Sequence, residues 1–470
     1  MHSHPRTKIT TSTSVVPHTI FRAYDIRGIA GDSLNTTNIE IIGKALASLA
    51  REAGEHTVLF GADGRLSSPS LKAALLKGIL STGLNVIDLG TIPTPLLYFA
   101  THTSEWGSGL MLTASHNPPD YNGIKIVRQR SCLTPEQIQQ IRERAESGNF
   151  FEGAGTLAQR NFKTLYIKRL QQDLRLQRKL KVVVDCANAV PGLIAPELFA
   201  ALGCEVIPLY CEMDGRFPNH HPDPTVADNM HDIIHEVRAH KADLGIALDG
   251  DGDRVVLVTN AGNVIDTDRL LMLLIKDIVP RYQNPNVVFD VKCSTLLLPL
   301  IKACGGQPVM SRSGHSFMKQ TMQESGAVVG AEFSAHVFIK DRWYGYDDGM
   351  YVAARFLELL SGQEQSAEDL LCALPRSIVT PELRISVSDE SKFQLMERIK
   401  QLASFPHGTV NILDGIRVDF ADGWGLIRAS NTTPALLLRF EASSSTSLQS
   451  IQTMFQELLS QVDDVLKFDF

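Results

Sequence analysis

The sequence predicts an α/β protein that ends in a smaller α+β unit, and three observations lead to this prediction. Short, continuous apolar runs recur along the chain, as in strands that are buried on both faces of a sheet. Helical segments alternate with these runs, which is the order of α/β layers. In the last part of the chain the pattern changes to the polar–apolar alternation of antiparallel strands.

The individual elements follow from these patterns. Residues 39–54 predict a helix, because apolar residues recur on one face and a glycine ends the segment. Residues 409–430 predict antiparallel strands, and residues 447–462 predict a closing amphipathic helix. Buried strands are predicted at 57–63, 180–186, 244–249, 287–291 and 327–333.

Three stretches interrupt the patterns and indicate boundaries between units. They lie at 146–158, 259–266 and 374–387, and they are rich in glycine, turn residues or proline. With 470 residues the chain is long enough for several domains. The predicted domains are three α/β units at 1–158, 159–262 and 263–375 and an α+β unit at 376–470.

Composition excludes several classes of protein. The net charge of -7 and the absence of a long basic run argue against a nucleic-acid binder. The apolar runs are too short to span a bilayer, and the first residues contain no apolar signal core, so we expect a cytoplasmic protein. Seven cysteines without a CxxC pair predict free thiols in a reducing compartment.

The sharpest local signal is LDGDGDRVVLV at 248–258. Asp249, Asp251 and Asp253 alternate with glycines directly after an apolar strand, so their carboxylates can turn towards one centre. Carboxylate oxygens suit a hard divalent cation, Mg²⁺ above all. The alternative is an acidic turn between two strands.

TASHNP at 113–118 places Ser115 in a turn at the end of a strand. The segment lacks the G-x-S-x-G elbow of hydrolases. With an acidic metal loop elsewhere in the chain, Ser115 is predicted to carry a phosphoryl group, whose charge a metal ion neutralises. The alternative is a serine–asparagine–proline turn that caps a helix.

Two further loops carry polar side chains that suit a sugar phosphate. GAEFSAH at 330–336 offers Glu332 and Ser334 to sugar hydroxyls, and its alternative is a strand with one solvated face. RASNTTP at 428–434 offers an arginine fork, hydroxyls and an amide to a phosphate, and its alternative is a polar turn. Each of the four predicted units therefore contains one loop of complementary chemistry.

These motifs resemble the α-D-phosphohexomutase superfamily, in its phosphomannomutase/phosphoglucomutase branch. The resemblance covers nearly all of the chain after its first twenty residues or so, and the motifs stand in the order of that family. They are FRAYDIRG (21–28), TASHNPPDYNGIKIV (113–127), FPNHHPDPT (217–225), LDGDGDR (248–254), SGHSFMK (313–319), GAEFSAH (330–336), RWYGYDDGMY (342–351) and RASNTTP (428–434).

The resemblance implies four domains around a central cleft, the first three of shared topology. It implies that Ser115 is a phosphoserine and that Ser115 and the three aspartates hold Mg²⁺, with glucose 1,6-bisphosphate as activator and intermediate. Arg254 would position the substrate, and Glu332 and Ser334 would bind the sugar hydroxyls O3 and O4. The phosphate that is not transferred would be held by Arg428, Ser430, Asn431 and Thr432. Further positions of the cleft would be Tyr24, Arg27, Lys125, Lys292, His315 and His336.

The implied reaction is the reversible conversion of hexose 1-phosphate and hexose 6-phosphate through a hexose 1,6-bisphosphate. Lys125, His336 and Arg27 are the proposed acid and base residues, because a hydroxyl nucleophile must lose a proton and the serine must regain one. A hinge is expected near residues 374–384. Partners would be small sugar phosphates, and the protein would be a monomer or a weak oligomer.

The loops also depart from the family pattern. Phe333 and Ala335 replace the usual methionine and glycine of the Gly-Glu-Met-Ser-Gly-His loop, and DCANAVPG at 185–192 replaces the usual Asp-Cys-Gly-Asn-Gly. Mannose, glucose or both remain open as substrates. Three alternatives are a phosphoglucosamine mutase, a Mg²⁺-dependent sugar phosphatase and a catalytically idle sugar-phosphate-binding protein. Phe333, where amino-sugar mutases often carry glutamine or asparagine, favours mannose and glucose phosphates.

Overall fold

A computed structural model describes residues 16–388, 390–430, 433–463 and 466. The described chain forms four sheets, one in each predicted unit, and each sheet is flanked by helices. The five apolar runs that predict buried strands all form strands, which confirms those predictions. Among the described residues, no helix is both long and apolar enough to cross a lipid bilayer. All seven cysteines are free thiols, as predicted.

From residue 16 onwards, the first unit contains seven strands and four helices. The strands are β1 (Ile26–Ile29), β2 (Thr57–Ala62), β3 (Asn85–Thr91), β4 (Gly109–Leu112), β5 (Tyr121–Arg128), β6 (Ser131–Cys132) and β7 (Leu157–Gln159). The helices are α1 (Thr36–Glu52), α2 (Ser68–Leu80), α3 (Thr94–Thr103) and α4 (Pro135–Ser147). β3, β2 and β4 lie parallel in that order, and β5 pairs antiparallel with β4.

The second unit repeats this arrangement. Its strands are β8 (Lys181–Asp185), β9 (Glu205–Leu209), β10 (Leu244–Leu248), β11 (Val255–Thr259) and β12 (Val264–Ile265). Its helices are α5 (Lys163–Asp173), α6 (Ala195–Ala201) and α7 (His231–His240). β9, β8 and β10 lie parallel, and β11 pairs antiparallel with β10.

The third unit has the same sheet without the additional edge strands. Its strands are β13 (Asn286–Asp290), β14 (Gln307–Ser311), β15 (Val329–Glu332) and β16 (His336–Ile339). Its helices are α8 (Thr267–Ile278), α9 (Leu297–Ala303), α10 (His315–Ser325), α11 (Gly349–Ser361) and α12 (Ala367–Cys372). β14, β13 and β15 lie parallel, and β16 pairs antiparallel with β15, so the three units share one topology.

In its described residues, the fourth unit is an antiparallel sheet with two helices. Its strands are β17 (Ile378–Val379), β18 (Leu383–Ser386), β19 (Thr409–Asn411), β20 (Ile416–Phe420), β21 (Gly423–Ala429) and β22 (Ala435–Ala442). Its helices are α13 (Lys392–Leu402) and α14 (Ser445–Val462). The predicted α+β unit and its closing amphipathic helix are therefore present.

Two strands extend past the predicted ends of their units. β7 crosses the predicted boundary between residues 158 and 159 and pairs with β3 of the first sheet. β12 follows the predicted boundary at residue 262 and pairs with β11 of the second sheet. The turn-rich composition of both stretches hid these short edge strands, and we propose that the first two units end after residues 159 and 265.

Helix α1 begins before its apolar pattern does. The prediction placed its start at Ile39, the first residue of the periodic pattern, whereas the helix begins at Thr36. Asn35 explains the difference, because its side chain accepts hydrogen bonds from the backbone N–H groups of Thr37 and Asn38 and so caps the helix.

Candidate active site

Ser115 lies in a tight turn between β4 and β5. Its φ of 51° lies in the left-handed region, which costs conformational energy in a residue other than glycine. Such a conformation persists only where neighbouring residues fix the backbone. The side chain is buried. Its Oγ donates a hydrogen bond to Asp249 Oδ2 at 2.8 Å and lies 3.2 Å from His116 Nδ1. The structure thus joins the Ser115 loop (residues 113–118) to the loop that carries the three aspartates.

Arg65 fixes the backbone of the Ser115 loop through hydrogen bonds. The buried guanidinium donates to the carbonyl oxygens of Ser115 and Asn117, both at 2.7 Å. It also donates to the carbonyl oxygens of Pro118 and Tyr121 and to the carboxylate of Asp63. All five N–H donors of Arg65 are therefore used, and four of them fix the backbone around Ser115.

The acidic loop (residues 249–254) follows strand β10. All three aspartates are fully buried, and one carboxylate oxygen of each lies within 4.8 Å of the others. Asp249 Oδ1 accepts from the backbone N–H groups of Gly252 at 2.9 Å and Arg254 at 3.1 Å, which fixes the turn. The prediction that Asp249, Asp251 and Asp253 turn towards one centre is realised in the structure.

Glycine at 250 allows the two loops to approach each other. A Cβ atom added there would lie 2.2 Å from the carbonyl oxygen of Ser115, which is closer than nonbonded atoms approach. Any larger residue would push the acidic loop away from Ser115. The glycine spacing of this motif therefore serves contact between loops as well as the turn itself.

Lys125 extends from β5 into the acidic loop. Its Nζ donates to Asp251 Oδ2 at 2.7 Å and also to Asp253 Oδ2. Burial opposes the charge of Lys125, but the carboxylates of Asp251, Asp253 and Asp249 outweigh it and raise the pKa of the lysine above its ordinary value. The lysine is therefore held as a cation among three carboxylates.

A hard cation fits the acidic loop. Asp251 Oδ1 and Asp253 Oδ1 are buried and have no hydrogen-bond partner among the described residues. Carboxylate and hydroxyl oxygens are the ligands that Mg²⁺ prefers, and Ser115 Oγ is within hydrogen-bond distance of Asp249. The three aspartates, with Ser115, therefore offer a donor set that suits the predicted metal.

The Glu332 loop (residues 332–336) joins β15 to β16. His336 Nδ1 lies 3.2 Å from Glu332 Oε2, and its Nε2 lies 3.4 Å from Asp253 Oδ1. Burial disfavours the charged imidazole, but the two carboxylates raise the pKa of His336 to about 9. Burial likewise opposes the charge of Glu332, but His336 and the nearby cations lower its pKa to about 2. Ser334 Oγ lies 3.4 Å from His336 Nδ1.

Two of the residues that depart from the family pattern, Ala335 and Ala187, have a left-handed backbone. Ala335 has a φ of 74°, and Ala187 has a φ of 49°. An alanine at such a position is strained relative to glycine. The methyl group of Ala335 packs in an apolar cluster with Ala247 and Val256, and this burial offsets part of the strain.

Tyr24, Arg27 and His315 surround the same loops. Arg27 Nη1 donates to Asn117 Oδ1 at 2.6 Å, so it touches the Ser115 loop. The Tyr24 ring packs edge-on against His315 with centroids 4.7 Å apart, and the His315 ring lies 5.6 Å from that of His336. These predicted site residues are thus brought together from the first and third units.

Arg254 connects the acidic loop with the Glu332 loop. Its backbone forms an isolated antiparallel bridge with His336, and its Nε lies 4.0 Å from Asp249 Oδ2. Burial opposes its charge, but Asp223 and Asp249 raise its pKa above the ordinary value. The partly buried guanidinium therefore stays charged beside both loops.

The Arg428 loop (residues 428–434) belongs to the fourth unit. Arg428 is buried, and its Nε donates to Asp414 Oδ2 at 3.0 Å. Ser430 is also buried. Asn431 and Thr432 lie outside the described residues. Lys292, of the third unit, contacts the fourth unit, because its Nζ lies 3.5 Å from Glu382 Oε2. Its positive charge also contributes to the lowered pKa of Glu332.

Several residues at the site were not predicted from the sequence. Thr94 Oγ1 donates to Asp251 Oδ2 at 2.5 Å, and Lys319 Nζ donates to Asp347 Oδ1 at 2.7 Å beside His315. Arg65 is the most connected of them. Its only local signal is Asp63-Gly64-Arg65 directly after strand β2, a charged pair where a buried strand ends.

Comparisons with known proteins match each of the four units. Residues 18–152, 164–262 and 266–378 match alpha/beta/alpha domains I, II and III of phosphoglucomutase/phosphomannomutase, and residues 382–458 match its C-terminal domain. A phosphomannomutase/phosphoglucomutase of Pseudomonas aeruginosa is 50% identical over 98% of this chain and 100% of its own length. A phosphoglucomutase of Neisseria gonorrhoeae is 43% identical over 94% of this chain and 96% of its own length.

A solved structure shows the same fold. The crystal structure of a phosphoglucomutase/phosphomannomutase family protein from Burkholderia thailandensis superposes with a TM-score of 0.93 at 40% sequence identity. The match covers 97% of this chain and 100% of that chain, so the similarity extends to all four units.

Proposed function

This chain belongs to the phosphoglucomutase/phosphomannomutase family and is a phosphotransferase mutase that interconverts hexose phosphates, and we propose that Ser115 carries the phosphoryl group. The observation that carries the proposal is the 2.8 Å hydrogen bond between Ser115 Oγ and Asp249 Oδ2. It places a buried hydroxyl, in a backbone conformation fixed by Arg65, against a cluster of three carboxylates.

The proposed reaction transfers a phosphoryl group twice. Phospho-Ser115 gives its phosphoryl group to the free hydroxyl of a hexose phosphate. The bond between phosphorus and Ser115 Oγ breaks as the bond to the sugar oxygen forms, and a hexose 1,6-bisphosphate results. The bisphosphate then turns end over end, and its other phosphate returns to Ser115. Such a reaction asks the protein chiefly for positioning and for stabilisation of charge.

Mg²⁺ would be held by Asp249, Asp251, Asp253 and the oxygen of Ser115. When bound, the ion supplies positive charge that neutralises the transferring phosphoryl group. Lys125 adds positive charge beside Asp251 and Asp253, and Arg254 adds it beside Asp249. Lys125 is buried and Arg254 is mostly shielded, so little water screens this charge.

Proton transfer is assigned to the cations of the site. The sugar hydroxyl loses its proton when it attacks, and Ser115 Oγ takes one up when it leaves. We propose His336 and Lys125 as the residues that exchange these protons, with Arg27 as a charged group that stays protonated. Each of the three contacts the acidic loop or the Ser115 loop.

The substrate is held at both of its ends. The carboxylate of Glu332 and the hydroxyl of Ser334 suit sugar hydroxyls, and Arg428 with Ser430 suits the phosphate that is not transferred. Asn431 and Thr432 are proposed to complete this phosphate site, and Tyr24, Lys292 and His315 to line the cleft. A hinge at residues 374–384, which include β17 and the start of β18, would let the fourth unit close on the bisphosphate.

The test is a coupled assay with Mg²⁺ and a trace of glucose 1,6-bisphosphate as activator. Mannose 1-phosphate, glucose 1-phosphate and glucosamine 1-phosphate are offered in turn to the wild type, to Ser115→Ala and to the control Ser147→Ala on the exposed end of α4. We expect turnover of one or both of the first two sugars, abolished only in Ser115→Ala.

The other outcomes separate the alternatives. Preference for glucosamine 1-phosphate would identify an amino-sugar mutase. Release of inorganic phosphate faster than isomerisation would identify a phosphatase, and no turnover by folded, Ser115-phosphorylated protein would contradict a mutase altogether.

The location, partners and oligomeric state of the enzyme are further parts of the proposal. We propose that it works in the cytoplasm on small sugar phosphates, as a monomer or a weak oligomer, without a nucleic-acid or membrane partner. Its negative net charge supports the absence of a nucleic-acid partner. Gel filtration at several protein concentrations measures the oligomeric state directly.

A further inference from the structure

Phe333 is held firmly between the two proposed sugar-binding residues. Its backbone N–H donates to Asp290 Oδ1 at 3.2 Å, and its carbonyl oxygen accepts from Thr267 Oγ1 at 3.1 Å. Because this short backbone segment is fixed, a displacement of the Phe333 ring also displaces its neighbours Glu332 and Ser334. The geometry of the proposed sugar site therefore depends on where this ring lies.

The Phe333 ring is covered by an arginine of the fourth unit. The guanidinium carbon of Arg439, on strand β22, lies 3.3 Å from the centre of the ring. Arg439 is buried, its Nη1 donates to the carbonyl oxygen of Lys292 at 2.6 Å, and its Nη2 lies 3.9 Å from Asp268 Oδ2. One side chain thus touches three segments of the third unit.

A guanidinium can make these contacts together because it is flat. Its N–H donors point outwards in its plane, while its face is free to lie on an aromatic ring. We propose that Arg439 is a positioning residue, which fixes the Glu332 loop relative to the phosphate site of the fourth unit by stacking on Phe333.

The link to the phosphate site runs along one strand. β22 begins at Ala435, directly after the Arg428 loop, and it reaches Arg439 without a break. A strand is stiff, so Arg439 and the Arg428 loop move together. If the proposed function holds, the hydroxyl groups and the distant phosphate of one substrate are bound, once the fourth unit has closed, at a separation that the Arg439–Phe333 contact sets.

A second buried arginine in the same interface provides a matched control. Arg417, on β20, donates to the carbonyl oxygens of Val291 at 2.6 Å and Cys293 at 2.8 Å. Its aromatic partner is Trp424 of its own unit, 4.0 Å away, rather than a residue of the Glu332 loop. Replacing it weakens the same interface without releasing Phe333.

The experiment compares Arg439→Lys, Phe333→Leu, their double variant and Arg417→Lys. Contacts with sugar hydroxyls form already in the bound substrate, so their loss raises KM more than it lowers kcat. We expect Arg439→Lys and Phe333→Leu each to raise the KM for glucose 1-phosphate or mannose 1-phosphate about tenfold. The double variant should resemble either single variant, because both changes break one contact. Arg417→Lys should lower the thermal midpoint as much as Arg439→Lys while the KM stays at the wild-type value.

The outcomes keep this inference separate from the proposed function. A wild-type enzyme without turnover contradicts the function itself. A wild-type enzyme with turnover contradicts the role of Arg439 in three cases. The first is an unchanged KM in Arg439→Lys. The second is a rise of KM in the double variant that equals the product of the two single rises. The third is a rise of KM in Arg417→Lys as large as that in Arg439→Lys.

Discussion

Arg65 is a buried cation whose every donor is used, and this explains how a serine is kept in a strained turn. Desolvating a guanidinium is costly unless its donors are paired. Four of its five hydrogen bonds end on backbone carbonyl oxygens of the Ser115 loop and of the start of β5. The left-handed φ of Ser115 is therefore maintained by a neighbour 50 positions earlier in the chain.

Arg65→Lys is expected to lower kcat/KM about a hundredfold, because a small displacement of the nucleophile costs about that factor. Lysine has three donors, so at least two of the five acceptors lose their partner, at least one of them a carbonyl oxygen, and Ser115 moves relative to Asp249. Steady-state kinetics measures the effect, with the exposed Arg216→Lys as control. Equal kcat/KM in Arg65→Lys and Arg216→Lys would refute this role.

At the scale of elements, helix α11 begins at a buried carboxylate that joins two units. Asp348 caps the helix by accepting from the backbone N–H of Tyr351 at 3.0 Å. It also accepts from the hydroxyl of Tyr166, on α5 of the second unit, at 2.8 Å. Burial raises the pKa of Asp348 to about 7, although these hydrogen bonds oppose the rise.

Asp348 therefore makes stability depend on pH. The carboxyl binds its proton more tightly in the folded protein, so its contribution to stability is complete below the unfolded pKa of about 4 and is lost as pH rises to about 7. Asp348→Asn retains a capping side chain and cannot ionise. The difference in thermal midpoint, variant minus wild type, is expected to increase between about pH 5 and about pH 8. A constant difference over this range would show that Asp348 does not titrate there.

At the scale of the whole molecule, the apolar core divides the chain unevenly. One large cluster of buried residues runs through the first, second and third units, and it includes Phe199. The fourth unit has a separate cluster around Phe455. A small separate cluster contains Val291 of the third unit with Trp424 and Leu426 of the fourth. The first three units thus share one large apolar cluster, whereas buried arginines and this small cluster lie between the third and fourth units.

The fourth unit is therefore expected to unfold in a transition of its own. Phe455→Ala should lower only that transition, since loss of a buried phenylalanine costs about 3–5 kcal/mol in the core that contains it. Phe199→Ala, which is equally buried, should lower only the transition of the first three units. Differential scanning calorimetry separates the two. A single transition that both variants shift equally would show that the four units unfold together.

Buried central strands and short edge strands differ in how well the sequence predicts them. The strands at 180–186 and 244–249 were predictable because burial on both faces leaves a continuous apolar run. The edge strands β7 and β12 were not, because two or three residues in turn-rich stretches leave no periodic pattern. Their place in a sheet depends on a partner strand elsewhere in the chain.

The sequence by itself determined the fold class, the family and the loops that carry the chemistry, because patterns of residues that lie close together in the sequence encode each of these. Only the tertiary structure decided which loops meet. Ser115 reaches Asp249 across 134 positions, and Arg439 covers Phe333 from another unit. Arg65 has no motif of its own, because its role depends on carbonyl oxygens that any residues can offer. Such contacts arise from the packing of whole units, whose burial of apolar surface sets distances that local sequence does not encode.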